Sequence, residues 1–99
     1  MKRNEILESA AAIVTGERNR QYGAPEDNFC VIADYWSTYL SRHNGGHMVF
    51  ITPTDVAVMM ALFKIGRITT AGEFTADSFV DLCGYAACAG ELAAGLPQE

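Results

Sequence analysis

Three groups of polar residues in this 99-residue sequence have the types and the spacing that chemistry requires. The first lies in the connection formed by residues 17–29, where Arg18, Arg20 and Tyr22 come just before Gly23. A turn and a helix start explain the glycine and the residues after it, but not the two arginines and the tyrosine. Guanidinium groups bind phosphate oxygens in pairs, and aromatic rings stack on bases. We therefore predict that these three side chains contact a phosphorylated ligand.

The second group lies on the last predicted helix, where Asp77, Asp81 and Tyr85 recur every four residues and share one stripe. Asp81 stands among apolar residues, where an unpaired carboxylate would be costly, so we expect it to have a partner. Lys64 or Arg67 of the preceding helix is the candidate, forming either a structural ion pair or part of a substrate or metal site. These two cations either stabilise the negative end of their own helix or bind phosphate. Tyr85 is a candidate for stacking on a base.

The third group consists of carboxylates in the first turns of predicted helices. Glu5 and Glu8 lie three residues apart and project from nearly the same side of the first helix. They either complement the positive end of the helix dipole or bind magnesium, which takes one or two carboxylates together with phosphate oxygens. Glu26 has the same two interpretations, and we include it with Asp77 and Asp81 as a candidate metal ligand. The expected cofactor is Mg²⁺, and the sequence assigns no catalytic residue.

The acidic composition limits the classes of partner. Twelve acidic residues against seven basic ones give a formal net charge of −5, with an isoelectric point near 4.8. A protein that binds duplex nucleic acid needs a basic surface to displace counterions, so we exclude duplex binding. One small basic pocket for a free nucleotide is compatible with this charge.

The cysteines and the hydropathy indicate the cellular compartment. Cys30, Cys83 and Cys88 are odd in number and lack Cys-x-x-Cys spacing, as expected for small buried thiols in a reducing compartment. Glu5 and Glu8 interrupt any signal peptide, and no apolar run approaches the roughly 18 residues of a membrane span. We therefore expect a cytoplasmic protein that does not enter a membrane.

Apolar periodicity predicts four helices in a single domain of residues 1–99. The clearest boundary is at Thr52, a threonine cap followed by Pro53 and, three residues after the cap, by Asp55. This third helix is expected to run to about Ile68 and to bury Val56, Met59, Met60, Phe63 and Ile68. The first helix is expected to run from Asn4, its N-cap, to Val14. The second is expected to start at Pro25 and to continue for about four to five turns, with Trp36 as a core anchor. The last helix is expected to start at a cap at Thr75.

The last helix is poor in bulky side chains between Gly84 and Gly90. Small side chains let another helix approach closely, so this segment either crosses a helix of the same chain or forms a subunit interface. Because so few bulky residues are available for a core, we expect a homo-oligomer. The predicted fold is an all-α, compact bundle of about four helices that assembles with copies of itself.

Several segments together resemble a family of small bacteriophage and prophage proteins with no assigned activity. They are Ile-Leu-Glu-Ser-Ala near the start, Arg-Asn-Arg-Gln-Tyr-Gly-Ala-Pro-Glu-Asp-Asn-Phe, Ile-Thr-Pro-Thr-Asp-Val-Ala, Phe-Lys-Ile-Gly-Arg and Asp-Ser-Phe-Val-Asp-Leu-Cys-Gly-Tyr-Ala-Ala. The resemblance spans almost the whole chain. It implies a phage-type protein in the cytoplasm of a bacterial host.

A more distant resemblance is to the all-helical MazG-like nucleoside triphosphate pyrophosphohydrolases, in which a Glu-x-x-Glu helix and a Glu-x-x-Asp helix hold magnesium. Glu5-x-x-Glu8 is similar to the first motif, and the segment around Asp81 is similar to the end of the second. Ser78 stands where these hydrolases have glutamate, and Asp77 stands one residue too early, so one chain lacks the complete set of four carboxylates. The resemblance implies magnesium-assisted attack of water on a phosphoanhydride.

Three functions are compatible with these features. The first is binding of a nucleotide or nucleotide-like phosphorylated ligand, with Mg²⁺-dependent pyrophosphohydrolase activity. The second is sequestration, without turnover, of the cyclic nucleotide signals used in host immunity, which would make the protein an anti-defence sponge. The third is inhibition of a host enzyme by direct protein binding, which needs no pocket.

Overall fold

Four helices account for most of the residues that the structure describes. The computed structural model describes residues 1–16 and 23–95. In these ranges the helices are α1 (Arg3–Thr15), α2 (Pro25–His43), α3 (Pro53–Thr70) and α4 (Ala76–Ala94), and no strand occurs. The prediction of an all-α fold of four helices is therefore confirmed.

Local hydrogen bonds cap the first turns of α1 and α3. At the start of α3, the Thr52 hydroxyl accepts a hydrogen bond from the Asp55 N–H, and the Asp55 carboxylate accepts one from the Thr52 N–H. This capping box and the proline after it confirm the strongest predicted boundary. The N-cap of α1 is Lys2 and not Asn4, because the Glu5 carboxylate accepts a hydrogen bond from the Lys2 N–H. Thr75 is the N-cap of α4, but its side chain makes no capping hydrogen bond.

The four helices pack in a chain of neighbours around α4. Helices α3 and α4 form the most extensive pair, α1 packs on α4, and α2 packs mainly on α3. Contact between α2 and α4 is slight. Because α1 and α2 cover different parts of the α3–α4 pair, a cleft is left between α1, α2 and α4.

The core of the described residues is small. Its buried members are Phe29, Ala33, Val56, Ala57 and Ala89, and Val56 is the largest fully buried side chain. Trp36, predicted as a core anchor, is half-buried and packs against this cluster. The radius of gyration is 14.9 Å, compared with about 13 Å for a compact domain of 100 residues. The arrangement is therefore more open than the predicted compact bundle.

The inward face of α3 differs from the prediction. Val56 is buried and Met60 is half-buried, as expected, but Met59 and Phe63 are exposed and Ala57 takes an inward position instead. Helix α3 is apolar around nearly its whole circumference, so periodicity cannot select one face. The packing against α4 makes that selection.

An extended segment joins α2 to α3 and is anchored by two serines one helical turn apart. The Ser41 hydroxyl accepts a hydrogen bond from the Val49 N–H and donates one to the Val49 carbonyl. The Ser37 hydroxyl makes the same two bonds with Ile51. The backbone N–H and carbonyl groups of Val49 and Ile51 are thus both satisfied by side chains of α2. The residues that alternate with these two project into solvent: Met48 and Phe50.

Candidate ligand-binding cleft

The cleft between α1, α2 and α4 is a cavity of about 600 Å³. Its walls are mainly apolar, and α3 contributes one side chain, that of Lys64. The other lining residues are Ala10, Ile13 and Val14 of α1, Asn28, Phe29, Val31 and Ile32 of α2, Val80, Asp81, Gly84, Tyr85 and Cys88 of α4, and Gly23 and Pro25 before and at the start of α2. Such a mixture of apolar walls and a few polar groups is typical of small-molecule sites.

Gly84 of α4 packs against Val14 of α1. It is buried, and a Cβ atom at this position would lie 3.3 Å from Cγ1 of Val14, closer than ordinary van der Waals contact. The helices can therefore come together here because residue 84 has no side chain. Of the two interpretations of the small-residue segment, a crossing within the chain is the one observed at Gly84.

An ion pair lies in the wall of the cavity. The Lys64 ammonium nitrogen is 2.9 Å from Oδ2 of Asp81, and the two side chains are 19% and 29% exposed. Asp81 therefore has the partner that its apolar surroundings predicted, and Lys64 is the cation that supplies it. Each group still lines the cavity, so the pair presents both a hydrogen-bond donor and an acceptor to whatever occupies the cleft.

Arg67 does not join this site. Its guanidinium group lies over the Phe63 ring, with the central carbon 4.9 Å from the ring centroid, and the side chain is exposed. Arg67 follows Lys64 by three residues, yet only Lys64 reaches the wall of the cavity. The expected pair of phosphate-binding cations on α3 is thus reduced to one cation in the cleft, and that cation is paired with a carboxylate.

Tyr85 and Cys88 form the part of the cavity next to the core. The Tyr85 ring packs against the Phe29 ring at a centroid distance of 6.2 Å and an interplanar angle of 42°. Burial raises the pKa of the Cys88 thiol above its usual value, and the negative charges of Glu91 and Glu26 raise that pKa further. Cys88 is therefore a neutral thiol at physiological pH. Tyr85 contributes an aromatic ring to the wall of the cavity.

The three cysteines do not share one environment. Cys83 and Cys88 are half-buried, whereas Cys30 is exposed, and all three are free thiols. The prediction of buried thiols is wrong for Cys30, because it follows the buried Phe29 on α2 and so points away from the core.

The carboxylates proposed as magnesium ligands do not converge. Asp77 is exposed and does not line the cleft, Asp81 is paired with Lys64, and Glu26 lies towards Cys88. Within residues 1–16 and 23–95, no group of three or more His, Cys, Asp or Glu side chains could hold a metal ion. The described side chains therefore do not fit a magnesium site.

The remaining predicted residues lie away from the cleft or outside the described residues. Glu5 and Glu8 are exposed on α1, and Glu5 takes part in the helix cap. Arg18, Arg20 and Tyr22 fall in residues 17–22, outside the described residues. Sequence reasoning missed most of the apolar wall, because a half-buried apolar residue that lines a cavity has the same pattern as one that packs in a core.

No helix in the described part of the chain is both long enough and apolar enough to cross a membrane.

Comparison with known proteins identifies relatives among bacteriophages. The chain is 43% identical over 83 residues to the Gene 55 protein of Mycobacterium phage D29, a match covering 84% of this chain and 50% of the relative. It is 41% identical over 81 residues to the Gene 55 protein of Mycobacterium phage L5, covering 82% of this chain and 47% of the relative. The chain thus spans about half the length of the curated relatives it matches. No solved structure matches the chain significantly.

The resemblance to phage proteins is confirmed by these relatives, whereas the resemblance to MazG-like hydrolases stays a hypothesis. One family profile, described as "Domain of unknown function (DUF6378)", matches residues 5–93. Because that match extends over nearly the whole sequence, the chain belongs to the DUF6378 family.

Proposed function

We propose that this protein binds a nucleotide or nucleotide-like small molecule in the cleft between α1, α2 and α4. The observation that carries the proposal is the cavity of about 600 Å³ with the Lys64–Asp81 pair and the Tyr85 ring in its walls. Pockets for small molecules usually have volumes of about 300–1,000 Å³. The cavity lies within this range, so its size suits a ligand such as a nucleoside. The apolar walls suit an aromatic base, which is flat and poorly hydrated on its faces.

The polar groups of the cleft suit the edge of a base. A nucleobase carries carbonyl or ring-nitrogen acceptors beside amino or imino donors along one edge. The Lys64 ammonium group can donate to such an acceptor while the Asp81 carboxylate accepts from the neighbouring donor. Asn28, which has both kinds of group, lines the same cavity. The pair therefore provides a donor and an acceptor side by side, the arrangement that reads a base edge.

The cleft is expected to bind a phosphate group of the ligand more weakly than its nucleoside part. The charge of Lys64 is balanced by Asp81 at 2.9 Å, and Arg67 points elsewhere, so the described cavity carries no excess of positive charge. We therefore expect the nucleoside part to supply most of the binding energy contributed by this cleft. This differs from the sequence-based expectation, in which Lys64 and Arg67 together bind phosphate.

The proposal is tested by isothermal titration with nucleosides, nucleoside mono- and triphosphates and cyclic dinucleotides, each with and without Mg²⁺. Tyr85→Leu removes the ring from the cavity wall. We expect it to weaken binding by about 5- to 150-fold, since stacking on one base is worth about 1–3 kcal/mol. Tyr39→Leu is the matched control, because Tyr39 is exposed on α2, stacks on His43 and does not line the cleft.

A second cleft variant tests the site independently, in case Tyr85→Leu does not fold. Val31 lines the cavity but is exposed, so Val31→Trp should fill the cleft while leaving the helices folded by circular dichroism. If both cleft variants still bind the ligand, or if Tyr39→Leu loses as much affinity as they do, the ligand does not bind in this cleft. Absence of binding to every compound in the panel would refute the proposed function itself.

The same titrations distinguish hydrolysis from sequestration. Formation of pyrophosphate together with an equal amount of nucleoside monophosphate from a triphosphate, measured in the titrated samples, would support a MazG-like reaction. Binding of a ligand that is recovered unchanged would support a sponge. The described carboxylates offer no magnesium site, so we favour binding without turnover. An anti-defence role would require a cyclic nucleotide to be among the ligands that bind.

A further inference from the structure

We infer that the outer face of α3 is the contact surface for a second copy of this chain, packed antiparallel to the first. This inference concerns the side of α3 turned away from the cleft and does not depend on the proposed ligand. The occupant is identified by three observations: the apolar character of the face, the excess surface of the chain, and the spacing of the residues along the helix.

The outer face of α3 is apolar up to Gly66, and the one charged group next to it is Arg67, whose guanidinium group lies over the Phe63 ring. Between Val56 and Gly66 the helix has one charged residue, Lys64, and that residue turns inward to Asp81. The exposed residues in the same stretch are all apolar or glycine: Val58, Met59, Leu62, Phe63, Ile65 and Gly66. A helix that is apolar on all sides is normally covered on all sides, so α3 has the character of a central helix with one face uncovered.

The chain exposes more surface than a monomer of its mass, and the excess is large enough for a dimer interface. The accessible surface is 7102 Å². The size scaling of monomeric proteins gives about 5,500 Å² for a chain of this mass, so the excess is about 1,600 Å². A standard interface buries about 800 Å² on each partner, and obligate homodimers bury more. The excess is therefore sufficient for a stable interface and for the open cleft as well.

The spacing along α3 indicates a helix as the covering element. Val58, Leu62, Ile65 and Thr69 are separated by four, three and four residues, which is the spacing of a seam between two packed helices. Asp55 lies one step earlier in the same seam. A second copy of α3 presents the same seam, so the two faces can pack about a two-fold axis.

The position of Asp55 selects the antiparallel orientation. In a parallel, in-register pair the two Asp55 carboxylates would face each other in the seam, where like charges repel. In an antiparallel pair centred on Leu62, each Asp55 lies opposite Thr69 of the partner subunit, and the helix dipoles oppose each other. Val58 then lies opposite the partner's Gly66, where there is open space around the glycine.

This arrangement leaves both clefts accessible. Lys64 lies on the inner side of α3 and lines the cavity, whereas Leu62 and Ile65 lie on the outer side. The second copy covers the outer side, so a ligand could enter the cleft of each subunit in the dimer.

The first test is the mass in solution, measured by light scattering during size-exclusion chromatography at micromolar concentration. The wild type should have the mass of two chains of 10.7 kDa each. Leu62→Glu should halve that mass. Leu7→Glu on α1 should not, although Leu7 is 60% exposed and Leu62 is 59% exposed, so the two substitutions are matched. A monomeric wild type, or equal effects of the two substitutions, would overturn the inference.

A second measurement tests the orientation and does not require disruption of the interface. In the antiparallel pair Leu62→Cys lies near the two-fold axis and should form a disulfide with its own copy under mild oxidation. Val58→Cys should not, because it faces residue 66 of the partner, about 12 Å along the helix from the partner's residue 58. Wild type, with its three native cysteines, is the control. Equal cross-linking of the two variants would overturn the antiparallel orientation.

Discussion

The Lys64–Asp81 pair provides the sharpest test of how the cleft is built. The two charged atoms are 2.9 Å apart in the cavity wall, and neither side chain is fully buried. Asp81→Asn keeps the shape of the side chain and removes its charge. Lys64→Met keeps most of the apolar stem and removes the ammonium group. Each single change leaves the other charge without its partner, and the double change leaves neither.

The exposure of the two side chains sets the expected magnitude. Exposed ion pairs contribute about 0.2–1 kcal/mol, and breaking a buried pair costs about 3–5 kcal/mol. With 19% and 29% exposure, this pair lies between those limits, so each single substitution should cost about 2 kcal/mol. For a domain of this size, that cost lowers the melting temperature by about 8–16 °C. The double variant should lose less than the sum of the two, with a coupling energy of about 1–2 kcal/mol.

The assay is urea unfolding of all four proteins, followed by circular dichroism at one protein concentration because the inferred dimer makes stability concentration-dependent. Additive effects, within about 0.5 kcal/mol, would refute the reasoning that the two groups depend on each other. Ligand titrations on the same variants separate stability from binding. A variant that remains folded but no longer binds would assign the pair to ligand recognition as well.

Three further perturbations test other parts of the structure. Thr52→Ala removes the cap of α3 and should cost about 1 kcal/mol in chemical unfolding. Gly84→Val drives a side chain into Val14 and should cost about 1–3 kcal/mol, whereas Gly90→Val, which meets open space, should cost less than half as much; equal losses would contradict the close α1–α4 approach. The raised pKa of Cys88 means that the folded state holds the thiol proton more tightly, so its contribution to stability is present at neutral pH and lost as pH rises above the ordinary value of 9.0. The unfolding free energy of wild type should therefore fall more steeply than that of Cys88→Ala in alkaline titrations, and parallel curves would contradict this.

Part of the candidate site was predictable from the sequence because its cause is local or energetic. Asp81 stands among apolar residues, and the cost of an unpaired carboxylate there predicts a cation nearby. The stripe that Asp81 shares with Tyr85 follows from the helical period, and both residues line the cleft. The choice between Lys64 and Arg67 was not predictable, since the two positions differ by less than one helical turn and only the packing of α3 on α4 brings Lys64 to Asp81.

The sequence by itself determined where α2 and α3 begin, because Pro25, Thr52 and Asp55 act within one turn of the chain through fixed backbone angles and short hydrogen bonds. Only the tertiary structure decided which face of α3 points inward and that the helices leave a cleft. Both depend on contacts between residues far apart in the sequence. For a helix as uniformly apolar as α3, hydrophobic burial has no preferred direction until its neighbours are in position.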